Sequence, residues 1–118
     1  MSTADESLRA LLAADAAVAA LVGERIAADR VEQGTALPFV VFTGSAEPQR
    51  GLDGSVHGVK TTFEIQCWAT TRAQANAVAQ ACKAALDAQH QYAAGPVNGY
   101  DQELDLEAAL ISCEWWED

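Results

Sequence analysis

No lysine or arginine follows Lys83, and eight acids stand unopposed beyond it: Asp87, Asp101, Glu103, Asp105, Glu107, Glu114, Glu117 and Asp118. The first 83 residues hold nine acids against seven bases, so nearly all of the net charge of −10 lies in the last third of the chain. Such a surface repels phosphate and excludes a grip on nucleic acid by counterion release. Histidine is equally scarce. His57 adjoins a glycine-rich stretch and His90 follows a helical one, and neither belongs to a pattern that joins nucleophile, base and orienting group. A Cys–His site from His57 and Cys67 would need residues ten positions apart along a hairpin to meet. Closely spaced Cys/His pairs that would hold zinc are missing, and the glycine stretches GLDG and GPVNG lack the spacing and lysine of a phosphate loop. No catalytic, cofactor-binding or metal-binding residue is expected. No apolar run approaches the ~20 residues that span a bilayer, and the opening MSTADESLRA is polar and acidic, so an aqueous compartment and no membrane partner are expected. Cys67, Cys82 and Cys113 are isolated in apolar surroundings and read as reduced core thiols.

Half of the chain is hydrophobic, much of it alanine, which buries little area per residue. The length suits one domain, residues 1–118. Its core is expected to rest on Leu8, Leu11, Leu12, Leu21, Val22, Phe39, Val41, Phe63, Ile65, Leu86, Leu110, Ile111 and the tryptophans. Helical spacing runs from Leu8 to Val22, opened by Thr3-x-x-Glu6 and stopped by Gly23, predicting a single helix. A short strand at Arg25–Ala28 and a loop follow. PFVVFTGSA reads as a strand buried on both faces. Glu47, Pro48, Gln49, Arg50, Gly51, Leu52, Asp53, Gly54 and Ser55 are too many, and too rich in proline and glycine, for a tight turn. They are expected to form a mobile loop. Alternation from Val56 to Ala69 then puts Val59, Thr61, Phe63, Ile65, Cys67 and Ala69 on a core face and Lys60, Thr62, Glu64, Gln66 and Trp68 on a wet one.

A second helix is predicted from an N-cap at Thr70 or Thr71 through Ala75, Val78, Ala79, Cys82, Ala85 and Leu86. Beyond it, Gly95, Pro96 and Gly99 suggest two short strands, near Gln91–Ala93 and Val97–Tyr100, before a last strand at Ala108–Trp116. Asp101, Glu103, Asp105 and Glu107 alternate with Leu104 and Leu106 as in a charged edge strand or an extended segment. Calcium would want the glycine of a hand-type loop, which this series lacks. The sum is an α+β fold: a mainly antiparallel sheet of four to five strands with two helices on one face. The other face would carry Trp68 and one of Trp115 and Trp116, marking an interface or capping the core edges.

The order of LLAADAAVAALVGERI, LPFVVF, AEPQRGLDG and TTFEIQCWATTRAQANAVAQACKAAL resembles the tail-completion, or tail-terminator, proteins of long-tailed bacteriophages, prophages and gene transfer agents. The resemblance covers roughly residues 8 to 90. It rests on Leu21-Val22-Gly23 with Arg25-Ile26, on Pro38 before an apolar strand, and on Phe63-x-Ile65-x-x-Trp68-Ala69 before an alanine-rich helix. It implies a structural subunit without enzymatic activity, built in the host cytoplasm and then carried in a phage-like particle. Copies would form a ring, hexameric in that family, that caps the head-proximal end of the tail tube, stops its growth and joins the head. Its partners would be itself, the tube protein and a head-completion or connector protein, with DNA passing through unbound. The loop Glu47–Ser55 and the aromatics Trp68 and Trp116 are then candidate interface residues, and Asp101, Glu103, Asp105 and Glu107 candidate lumen acids. Two other classes stay open from the residues alone: a small dimeric ligand-binding or regulatory α+β module with Trp68 lining a pocket, and, last, an enzyme using His57 or His90 with a carboxylate.

Overall fold

The structure, a computed structural model, describes residues 4–31, 34–50, 56–89, 91 and 93–117, with the side chains of 46–50, 56–59 and 116–117 outside the description. Its elements run α1 (Ala4–Ala14), α2 (Ala16–Val22), β1 (Ile26–Ala28), β2 (Phe39–Arg50), β3 (Val56–Ala69), α3 (Arg72–Ala88), β4 (Ala93–Asp101) and β5 (Leu106–Glu117). The strands form one sheet in the order β1-β2-β3-β5-β4. All pairings are antiparallel except that of β1 with β2. The expected α+β class and mainly antiparallel sheet hold, with three helices rather than two.

The extra helix comes from Asp15. Its backbone is extended, with φ −77° and ψ 125°, and its carboxylate accepts the Val18 amide at 3.0 Å. It thereby caps a new helix inside what periodicity reads as one. Leu8 and Leu12 of α1 and Val18 and Val22 of α2 still reach a common core. Thr3 of the expected capping box lies outside the described residues. At α3 the N-cap is Thr71, whose Oγ1 accepts the Gln74 amide at 3.1 Å. The buried stripe Ala75, Val78, Ala79, Cys82, Ala85 and Leu86 is the one its spacing predicts.

The helices pack on one face of the sheet, against Val40 and Phe42 of β2, Phe63, Ile65 and Cys67 of β3, and Ala109, Ile111, Cys113 and Trp115 of β5. Each large side chain fully withdrawn from water contributes roughly 1.5–3 kcal/mol. The start of β2, expected to be buried on both faces, has Val40 and Phe42 in the helix-side core and Val41 buried on the opposite face. Phe39, expected in the core, is only half-buried on that opposite face, because an unbroken apolar run carries no alternation from which to tell the two faces apart. Phe42, Phe63 and Trp115 stack edge to face across three strands, with ring centroids 5.8 and 6.3 Å apart.

Two further expectations change. Glu47–Arg50 are not loop but the end of β2. Their ladder passes the buried pair Thr61 and Trp115 by four more pairings, Glu47 with Lys60, Pro48 with Val59, Gln49 with Gly58 and Arg50 with Val56, broken only by a bulge at Gln49/Arg50. Pro48 is tolerated because β1 covers β2 only along Val40–Phe42, so on its outer side this stretch has no strand to bond among the described residues. Residues 51–55 of the predicted loop lie outside the description. The two short strands expected near Gln91–Ala93 and Val97–Tyr100 are one strand, β4, whose register shifts between Ala94 and Val97 around Gly95-Pro96. The proline lies on an edge strand and displaces the ladder without ending it.

Asp87 ties the end of α3 to β4, pairing with Lys83 Nζ at 3.0 Å and accepting the Ala93 amide at 3.2 Å. The Lys83 hydrogen bond first, and the Ala93 amide second, hold its carboxyl below the ordinary value of 3.8. A depressed folded-state value contributes stability above the unfolded-state value, and this is lost as pH falls through the folded one. A series of thermal midpoints from neutral to strongly acidic pH should therefore show a fall that flattens in Asp87→Asn. An identical acid slope in wild type and variant would remove Asp87 from the acid response.

Candidate assembly surfaces

With all helices on one side, the register alone maps the opposite face of the sheet. Ala27, Val41, Gln66, Leu110 and Val97 form one row across the five strands, and Phe39, Trp68, Ala108 and Gly99 form the next. On the other side of the first row stand Thr43, Glu64, Ser112 and Ala94, then Ser45, Thr62 and Glu114. One end of this face is apolar and the other carries hydroxyls and acids. Trp68 lies at the apolar end, where the wet face of the strand was expected to put it. Its Nε1–H donates to Gln66 Oε1 at 3.1 Å, and Gln66 Nε2 donates to Glu64 Oε1 at 3.0 Å. The indole thus spans an apolar patch and a polar relay, as aromatics at interfaces do.

The other tryptophans separate. Trp115 is in the helix-side core. The backbone of Trp116 pairs with Lys60 beside the extended end of β2 and β3, and its side chain lies outside the description.

The acid series is not an edge strand. Asp101 ends β4, residues 102–105 turn, and Glu107 lies in β5. Asp101 Oδ1 accepts the Leu104 amide at 3.0 Å, and Asp105, at φ 54°, accepts the Tyr100 hydroxyl at 2.6 Å. Short carboxylates that bond nearby backbone favour turns, and this competes with the alternating pattern. The Asp105 carboxylate raises the Tyr100 phenol above its ordinary value, chiefly through that hydrogen bond. Among the described residues no group of His, Cys, Asp and Glu is arranged to hold a metal ion. Sequence reading missed a different feature of this turn: Val97, Tyr100 and Leu104 are exposed at 65%, 55% and 63%. Val97 and Tyr100 fall on the strand expected there, but nothing in the local pattern tells that this strand ends the sheet.

Cys67, Cys82 and Cys113 are free and buried, as expected. A hydrogen bond with Cys82, then burial, pushes the Cys67 thiol well up, and burial pushes Cys113 up to about 11. Neither offers a thiolate nucleophile at neutral pH. The side chain of His57 and all of His90 lie outside the description. A groove of about 460 Å³ between α1 and α3 is lined by Ala10, Leu11, Ala14, Asp15, Ala85 and Gln89, on the layer opposite Trp68.

Known proteins place this architecture. A family model for tail completion protein gp17 matches residues 6–118, while comparison with curated proteins finds no match. Among solved structures, a chain of the virion of a native gene transfer agent particle is similar, with TM-score 0.67 and 15% identity over 93% of this chain and 92% of that one. At that identity the likeness is one of fold. With a family match spanning nearly the whole chain, this protein belongs to the tail completion protein gp17 family and is a structural component of a phage-type tail, not an enzyme.

Proposed function

We propose that the chain is the subunit of a ring, hexameric as the family resemblance implies, that caps the head-proximal end of the tail tube, stops its growth and presents the surface to which the head joins. Assembly in the host cytoplasm precedes incorporation into the particle. The observation that carries this is the one-sided layering: helices cover one sheet face, while the other keeps Trp68, Phe39 and Leu110 half-buried and the β2–β3 ladder runs on past the core. Surfaces of this kind suit contact between copies, because a ring requires two different patches on each subunit. The extended ladder ending at Arg50, with the loop to Ser55, is proposed to reach the neighbour or the tube, and Trp68 and Trp116 to lie in that contact. DNA would pass without adhering, since a net charge of −10 disfavours it. The acids around the β4–β5 turn would favour such passage in the lumen, but the apolar side chains exposed among them favour a protein contact.

Light scattering across concentration, alone and with the tube protein of the same particle, tests the ring. A discrete ring, formed alone or only with the tube, is expected. A concentration-independent dimer that ignores the tube would instead support the small dimeric module.

A further inference from the structure

Among the described residues, every large hydrophobic side chain that is strongly exposed falls between Val97 and Leu104: Val97, Tyr100 and Leu104. These residues belong to one edge of the sheet, because β4 is its terminal strand. Edge strands are ordinarily protected against pairing by lysine, proline or a bulge. In β4 that protection stops at Pro96. From Val97 opposite Leu110 to Asp101 opposite Leu106 the register is unbroken, and no strand pairs with the outer side among the described residues. The segment is thus a strand-length template carrying the exposed Val97 and Tyr100, with Leu104 exposed in the turn that follows.

Charge decides what fits it. Asp101, Glu103, Asp105 and Glu107 flank the exposed Leu104 along the chain, and no base follows Lys83. DNA and an anionic lipid surface are repelled. A second copy offers little opposite charge, because it carries seven bases against seventeen acids and several of those bases are engaged or offset. Lys83 pairs with Asp87, Arg72 donates to Asn98, Arg25 donates to the carbonyls of Pro38 and Leu21, and Arg25 and Arg30 are flanked by Glu24 and Asp29.

We infer that the outer edge of β4 with the β4–β5 turn docks a basic, extended segment of another protein of the particle, which adds along Val97–Asp101 as a sixth strand and sets Lys or Arg against the acids of the turn. Main-chain bonds along the edge supply affinity in this mode, and side chains supply the choice of partner. The inference rests on the tail-assembly reading but not on the ring. It assigns the turn acids to a protein contact in place of the lumen.

The test is an amide-shift titration of the isotope-labelled full chain with a peptide of about six residues, the usual length of a strand, alternating lysine and valine. A peptide alternating glutamate and valine is the control. Shifts at Val97–Asp101 and Leu104 are expected, with binding at least about tenfold weaker for the acidic peptide and weakened further by salt. Val97→Lys/Leu104→Lys, and separately Glu103→Lys, should lose about tenfold or more while leaving amides away from the turn unshifted. Equal response to both peptides, or shifts centred on the open edge of β2, would overturn the inference. So would loss of the wild-type ring in the double variant, which would give this edge to a second copy. A wild type that never forms a ring overturns the ring alone, and the peptide result still decides the edge.

Discussion

Replacing Phe63 with alanine is expected to lower folding stability by about 3–5 kcal/mol. The ring is fully buried on β3, flanked by β2 and β5, and meets Phe42 and Trp115 edge to face. Opposite it on β2 stands Gly44, where a Cβ would lie 2.7 Å from Phe63 Cε1. The phenyl therefore occupies the space of the missing side chain, and its removal opens a cavity to which Gly44, opposite, brings no side chain. Phe39→Ala is the control, since that ring is only half-buried and outside the core, and its loss should be distinctly smaller. Urea unfolding of the two variants measures both. A domain of this size holds about 5–15 kcal/mol, so Phe63→Ala should be visibly destabilised at room temperature. A loss no greater than that of Phe39→Ala would contradict the aromatic stack.

At Gly95 an alanine should be nearly as damaging, for a backbone reason. The residue sits at φ +118°, where an added Cβ would stand 2.8 Å from the Leu110 carbonyl oxygen and 3.3 Å from Ile111 Cα. Both neighbours are main chain of the paired strand, so relief requires β4 to move off β5. Backbone strain of this type costs about 1–3 kcal/mol before any clash, and a loss of at least about 2 kcal/mol is expected in Gly95→Ala. Gly34 separates the two causes. It also has positive φ, +87°, but nothing lies within 4 Å of its Cβ position. Gly34→Ala should lose only the backbone strain, about 1–2 kcal/mol, and less than Gly95→Ala. Equal losses at the two sites would mean that the close approach of β4 to β5 contributes nothing.

What could be read from the residues depended on whether local pattern and tertiary context agreed. In α3 they agree: Thr71 caps, and the buried stripe follows the helical period. β3 likewise alternates between core and open face because a different environment covers each side. Where a strong local signal met a weak global one, the reading failed. Pro48 and the Gly95-Pro96 pair signal breaks, yet both lie on strands with an uncovered side, where a missing amide donor is tolerated. Asp15 splits a continuous apolar period because one side-chain hydrogen bond suffices to start a new helix. The candidate interface was legible only in part. Trp68 was placed on its face by alternation, but the exposed Val97, Tyr100 and Leu104 went unnoticed, since exposure depends on which strand ends the sheet.

The strand order also fixes a sequence of events during synthesis. β5 is made after both of its neighbours, yet it lies between β3 and β4. The β2–β3 hairpin is local and can form early, whereas pairing of β5 with β3 must first close a loop that includes α3 and β4, and long-range pairing is the slower step. From the emergence of β3 until that step, the long side of β3 that β5 will occupy stays open to other chains. Thr62, Glu64 and Gln66 on its open face, with Glu107 and Glu114 on the incoming strand, place polar and acidic side chains at the seam where a nascent chain would otherwise aggregate with its copies.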